Sequence, residues 1–173
     1  MPDSTSPAVG IVMGSDSDWP KIKAAADALD EFGILHEIKV MSAHRSPETV
    51  RQYTTMAAAR GIKVLIAAAG GAAHLAGVVA SHTTLPVIGI PVPTNLQGGL
   101  DSLLSTVQMP GDVPVATVGV GMGGPRNAGL LAVQILALGD EGLQNQLIAY
   151  KKALVGKVSA KDAALQATLR EDR

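Results

Sequence analysis

Apolar residues in this chain come in short unbroken runs, each followed by small or polar residues and then by a helical repeat. Val9-Gly-Ile-Val-Met13 stops at Gly14-Ser15, after which Trp19, Ile22, Ala26, Leu29 and Phe32 recur at helical spacing. Gly33 closes that helix, and Ile34 to Val40 reads as a second strand. Ser46 as N-cap with Pro47 at the first helical position predicts the next helix, with Val50, Tyr53 and Ala57 as its buried stripe and Gly61 as its end. Val64-Leu-Ile-Ala-Ala-Ala69 is a third strand. Gly70-Gly71 then leads into a helix near Ala73 to Ser81, and Val87-Ile-Gly-Ile90 into a helix around Leu100 to Val107. Val115-Ala-Thr-Val118 predicts a fifth strand, followed by a glycine-rich turn and a helix from Asn127 to Leu138.

Strands without polar alternation are buried on both faces, as in parallel sheets. Five such strand-then-helix units predict an α/β fold: a three-layer αβα sandwich around a parallel five-stranded sheet with right-handed crossovers. Leu143, Leu147, Tyr150, Leu154 and Val158 mark a long C-terminal helix whose polar face carries most of the late lysines. The expected organisation is a flexible N-terminal tail over 1–8, a single catalytic domain over 9–140 and a helical extension over 141–173.

Composition narrows the partners. Only 17% of residues are charged and the formal net charge is -1, which removes the basic footprint of a nucleic-acid binder. Four aromatic residues, Trp19, Phe32, Tyr53 and Tyr150, are too few for a base-stacking platform. The absence of cysteine excludes disulfides, thiolate metal sites and thiol nucleophiles. Residues 1–7 lack a basic start and an apolar stretch, so they do not read as a secretory signal, and a cytoplasmic location is expected. No Asp, Glu, Lys or Arg occurs between Lys63 and Asp101. Gly70-Gly71, His74, Ser81 to Thr84 and Pro86 interrupt that stretch, so burial in a homo-oligomer is expected and a membrane span is not.

In an open parallel sheet, ligands bind outside the carboxyl ends of the strands, which directs attention to residues 14–18, 41–46, 70–74, 92–99 and 119–125. Three of these loops enter helices through small or hydroxyl residues, which suits a phosphate held by backbone N–H groups. Gly119-Val-Gly-Met-Gly-Gly124 fits G-x-G-x-x-G but follows the last strand and lacks the later ribose-binding acid, so it reads as a tight turn. Asp16-Ser-Asp18 fits either a metal-binding pair or an acidic loop with Asp18 capping the first helix, and capping is the better general reading. His36 and His82 are expected to be structural. His44 is followed by Arg45 and a helix start; both disfavour imidazolium and leave a neutral ring able to move protons. For His74, a site role and a satisfied position at a helix start stand equal.

Five segments together resemble the class I PurE family: Val12-Met-Gly-Ser-Asp-Ser-Asp-Trp19, Met41-Ser-Ala-His-Arg-Ser-Pro47, Ala69-Gly-Gly-Ala-Ala-His-Leu75, Gly99-Leu-Asp-Ser-Leu-Leu-Ser105 with Val107-Gln-Met-Pro110, and Asn127 to Leu136. The resemblance runs from about Val9 to Tyr150. It implies a flavodoxin-like fold, a homo-octamer and no metal or organic cofactor. The implied reaction moves a carboxylate from N5 to C4 of an aminoimidazole ribonucleotide through bound carbon dioxide. Matched to the family's positions, His44 is the general acid/base. Ser15, Asp18 and Arg45 bind the nucleotide, Asp18 toward the ribose and Arg45 toward the 5′-phosphate. Ser42, Gly70, Gly71, His74 and Leu75 enclose the reacting carboxylate. The partners so implied are the small ribonucleotide, further copies of the chain and, functionally, the ATP-dependent synthetase that makes the substrate.

The chain departs from the family pattern at Ala76, commonly Pro, in the loop Thr94 to Gly98, and at Gly123 to Arg126. Two other functions fit the same residues. One is the class II enzyme of the family, which carboxylates aminoimidazole ribonucleotide directly and usually has Lys at the position of Arg45. The other is a non-catalytic nucleotide sensor on the same fold.

Overall fold

The computed structural model describes residues 6–171. They form two compact units, residues 6–136 and residues 137–171. Most of the expected tail, residues 1–5, lies outside the described residues.

The first unit is built on a parallel sheet of β1 (Val9–Met13), β2 (His36–Val40), β3 (Val64–Ala69), β4 (Val87–Pro91) and β5 (Ala116–Thr117) in the order β2-β1-β3-β4-β5. That is the flavodoxin-like order. All five residues of β1 and of β4 are buried, and so are the first five of β3. β2 and β5 are the edges, and they depart most from expectation. β2 begins at His36, and its second half is exposed. β5 keeps two paired residues, because it has a neighbour on one side only and follows Pro114, which has no N–H to offer.

The helices are α1 (Trp19–Ile22), α2 (Ala24–Glu31), α3 (Pro47–Ala57), α4 (Leu75–Ser81), α5 (Leu100–Val107), α6 (Gly124–Ala137) and α7 (Glu141–Glu171). The single helix expected after β1 is a 3-10 turn, Asp16–Asp18, then α1 and α2 joined at Lys23. Lys23 keeps helical dihedral angles, so the stripe stays in phase and Ile22, Ala26, Leu29 and Phe32 are all buried. α3 and α4 pack over one face of the sheet around Val50, Leu65, Leu75 and Val79. α2 and α6 meet in the other layer, so closely that a Cβ on Gly129 would lie 2.4 Å from the Ala25 carbonyl oxygen. α6 begins at Gly124, three residues before the expected start, because Pro125 sits in its first turn, where a missing N–H costs nothing.

Two expected caps form differently. Ser46 occupies the N-cap of α3, but its hydroxyl accepts from the Ser42 N–H at 2.9 Å and donates to the Ser42 carbonyl, pinning the preceding loop. Asp18 occupies the N-cap of α1 without a side-chain capping bond. Ser15 instead caps the 3-10 turn by accepting from the Ser17 N–H.

The second unit is chiefly α7. Asp140 starts it, its carboxylate accepting from the Leu143 N–H at 3.0 Å. Leu143 is buried and Leu147, Tyr150 and Leu154 are half-buried, whereas Val158 is exposed, so the expected stripe ends one turn early. No described helix is long and apolar enough to cross a membrane.

Candidate active site

The chain leaves β1 toward β2 on one side and continues from β3 on the other, so a crevice opens where these directions diverge. A cavity of about 500 Å³ lies there. Gly14, Ser15 and Asp18 after β1, Ser42 to Arg45 after β2, Ala69 at the end of β3 and Gly70 and Ala72 after it line the cavity, with Leu75 from α4 and Val92 to Thr94 after β4. Seven of the nine expected site residues are therefore in one wall. Gly71 and His74 are not in that wall and are bonded to neighbours of it.

Arg45 is held as a strut between two loops. Its Nη2 donates to the Gly14 carbonyl at 3.1 Å, its Nε reaches Ser42 Oγ at 3.4 Å, and its own N–H donates to the same hydroxyl at 3.2 Å. Ser42 thus organises the turn that presents His44 and Arg45 side by side. The fork of Arg45 remains exposed to the cavity, a planar donor set suited to phosphate.

His44 and His74, thirty positions apart, meet: His44 Nε2 lies 2.8 Å from His74 Nδ1, with the rings edge to face at 78°. A bond of this length needs one donor and one acceptor, so only one proton sits between the rings. His74 is the N-cap residue of α4 and gives it no side-chain cap; its ring is committed to His44. Its place at the helix start and its contact with His44 accommodate both sequence readings of His74. His36 and His82 lie elsewhere. His36 Nδ1 contacts the Ile34 carbonyl at 3.1 Å, and His82 ends α4 beside a separate polar hollow with Thr55 and Thr84.

Asp18 is the buried acid of the cavity. Burial pushes its carboxyl above the usual aspartate range, against the pull of Lys21 and of a backbone hydrogen bond from Ser15. Among the described residues no group of three or more His, Cys, Asp or Glu could hold a metal ion.

Lys21 was not among the expected residues, yet it lines the cavity and its Nζ lies 3.4 Å from the Pro93 carbonyl. The available signal was its spacing, three residues after Asp18 and hence on the same helical face. Gly119 to Gly124 forms a turn before α6, with Gly121 at φ 71° and the Gly124 N–H donating to the Gly121 carbonyl.

A family model described as AIR carboxylase matches residues 8–157. A Mycobacterium tuberculosis protein named N5-carboxyaminoimidazole ribonucleotide mutase is 55% identical over 165 residues, covering 95% of this chain and 94% of its own. A Bacillus subtilis protein of the same name is 58% identical over 141 residues, covering 82% of this chain and 87% of its own. Among solved structures, Treponema denticola PurE superimposes with a TM-score of 0.83 at 31% identity, covering 92% of this chain and 98% of its own.

Proposed function

The chain belongs to the AIR carboxylase family, and from that premise we infer that it is an N5-carboxyaminoimidazole ribonucleotide mutase, an isomerase of purine biosynthesis. The observation that carries the reading is the 55% identity to a mutase along 95% of the chain. The cavity at the sheet's switch point supports it, since it brings an acid/base candidate, an exposed guanidinium and a wall of small residues into about 500 Å³.

In this reading, Arg45 and the loop N–H groups after β1 take the 5′-phosphate, and Ser15 and Asp18 take the ribose. His44 delivers a proton to N5 as the N5–carboxylate bond breaks, with the bond's electrons staying on nitrogen, so carbon dioxide and aminoimidazole ribonucleotide share the cavity. The enamine-like ring attacks carbon dioxide through C4, and His44 then removes the C4 proton to restore the aromatic ring. One proton is given and one recovered, and nothing is oxidised or reduced. A single imidazole serves both steps. His74 supports the ring through the 2.8 Å bond. Gly70, Leu75 and Ser42 enclose the carboxylate, with Gly71 holding the turn behind Gly70, and small apolar neighbours limit water access to the intermediate.

A homo-octamer and a cytoplasmic location belong to the same reading. Leu100, Leu104 and Val107 of α5 are 39–47% exposed, as expected of a surface that another copy covers. The synthetase that makes the unstable substrate is the expected functional partner.

The test is a two-substrate assay. The protein is given N5-carboxyaminoimidazole ribonucleotide, and separately aminoimidazole ribonucleotide with bicarbonate. Turnover of the first is expected. Efficient turnover of the second alone would make it the class II carboxylase, and binding without turnover of either would make it a sensor.

A further inference from the structure

Helix α5 contributes no residue to the cavity wall, yet its first turns hold that wall together. Ser102 is fully buried, an unusual place for a hydroxyl unless it is bonded. It accepts from the Gly71 N–H at 2.9 Å and donates to the Val92 carbonyl at 2.7 Å. One side chain thus joins the carboxyl end of β3 to that of β4. Ser105 Oγ lies 3.1 Å from the Gly71 carbonyl oxygen and 2.8 Å from the Asp101 carbonyl oxygen one turn back, so its proton is shared between them, and the Gly71 carbonyl also accepts from the Ala73 N–H at 2.8 Å. Gly71 has φ 68°, a left-handed conformation that glycine adopts without steric cost. Asp101 extends the clamp: its Oδ1 accepts from Thr94 Oγ1 at 2.6 Å and from the Ser102 N–H at 2.8 Å. The Thr94 bond, working against desolvation, holds the Asp101 carboxyl below its ordinary range. The residues so anchored, Gly70 beside Gly71 and Val92 to Thr94, are cavity lining.

We propose that Asp101, Ser102 and Ser105 are positioning residues that keep the 70–71 turn and the 92–94 segment closed over the carboxylate end of the cavity, so that liberated carbon dioxide recombines at C4 before it escapes. The proposal rests on the mutase reading. It adds a role for three side chains that are absent from the cavity lining. A clamp of this kind governs partition: a loosened wall still permits loss of carbon dioxide from N5, and the fault appears as aminoimidazole ribonucleotide left behind.

The experiment uses the full chain and substrate labelled with ¹³C in the N5 carboxylate. Unaltered protein, Ser102→Ala, Ser105→Ala and Ser105→Thr are compared for the ratio of aminoimidazole ribonucleotide to carboxylated product and for incorporation of unlabelled bicarbonate. Ser105 is only half-buried, so its variants keep the test alive should Ser102→Ala fail to fold. The expected result is a rise of at least fivefold in the uncarboxylated fraction for both Ala variants, KM within about twofold, and return toward the original ratio in Ser105→Thr. Lower turnover with an unchanged product ratio in folded Ser105→Ala would overturn the inference and leave the mutase reading standing. No carboxylated product from the unaltered protein would overturn both.

Discussion

Replacing Arg45 by Lys preserves the charge beside His44 and removes the fork. In the structure the guanidinium spends one arm on the Gly14 carbonyl at 3.1 Å and Nε on Ser42 at 3.4 Å, while staying exposed in the cavity. A lysine ammonium can serve the strut or the phosphate with its point charge but cannot span both as a planar donor. A hydrogen bond to a charged group contributes about 1.5–3 kcal/mol. Both bonds of the strut are long, so the lower half of that range applies, and about 1.4 kcal/mol corresponds to a tenfold change. KM for the ribonucleotide should therefore rise about 10–40-fold. In the proposed binding mode the phosphate lies away from the migrating carboxylate and is held alike in ground and transition states, so kcat should change by less than about threefold. Steady-state turnover of N5-carboxyaminoimidazole ribonucleotide over a range of concentration separates the two constants. An unchanged KM, or a loss confined to kcat, would refute the placement of Arg45 at the phosphate.

With His44 as the proposed acid/base, His44→Asn should lower kcat by about 10²–10⁴-fold while equilibrium binding of aminoimidazole ribonucleotide changes little; turnover at the original rate would remove His44 from the chemistry. Gly129→Ala should destabilise the fold in urea melts, because its Cβ would meet the Ala25 carbonyl at 2.4 Å and the Ala28 Cβ at 2.8 Å. Overpacking costs about 1–3 kcal/mol, against about 1 kcal/mol gained in helix propensity. Gly156→Ala in α7 meets nothing within 4 Å and should gain that propensity without the cost, raising the helix's resistance to melting. Glu37 pairs with Arg60 at 2.6 Å beside Tyr53; these partners outweigh burial and hold its carboxyl below the ordinary 4.5. Its stabilising contribution is complete above 4.5 and is lost as pH falls through the depressed folded value, so Glu37→Gln should flatten the acid limb of the urea midpoint curve. A limb as steep as the original would refute this assignment.

Element order and type were legible in the chain because both depend on local pattern. Continuous apolar runs at Val9, Val64 and Val87 became the three central strands, buried on both faces. Gly61, with φ 94°, ended its helix where a left-handed residue was needed. The loops carrying Ser15, Ser42 to Arg45 and Gly70 could be assigned to one end of the sheet, because a parallel sheet places every strand-to-helix turn on the same side. Periodicity could not settle how far an edge strand pairs, so β5 was overestimated. Nor could it say which of several acceptors a hydroxyl would choose, and Ser46 took the Ser42 backbone.

Tertiary structure alone decided the contacts that turn these loops into a site. Sheet order puts the ends of β2 and β3 on either side of β1, and side-chain reach from those ends brings His44 and His74 to 2.8 Å. The same packing sets Ser102 and Ser105 against Gly71 across more than thirty residues and swings Lys21 to the cavity rim. Such pairings depend on how layers close over a shared core, a collective choice made by burial. A window of ten or fifteen residues carries the periodicity of each element but no information about which distant element will cover it.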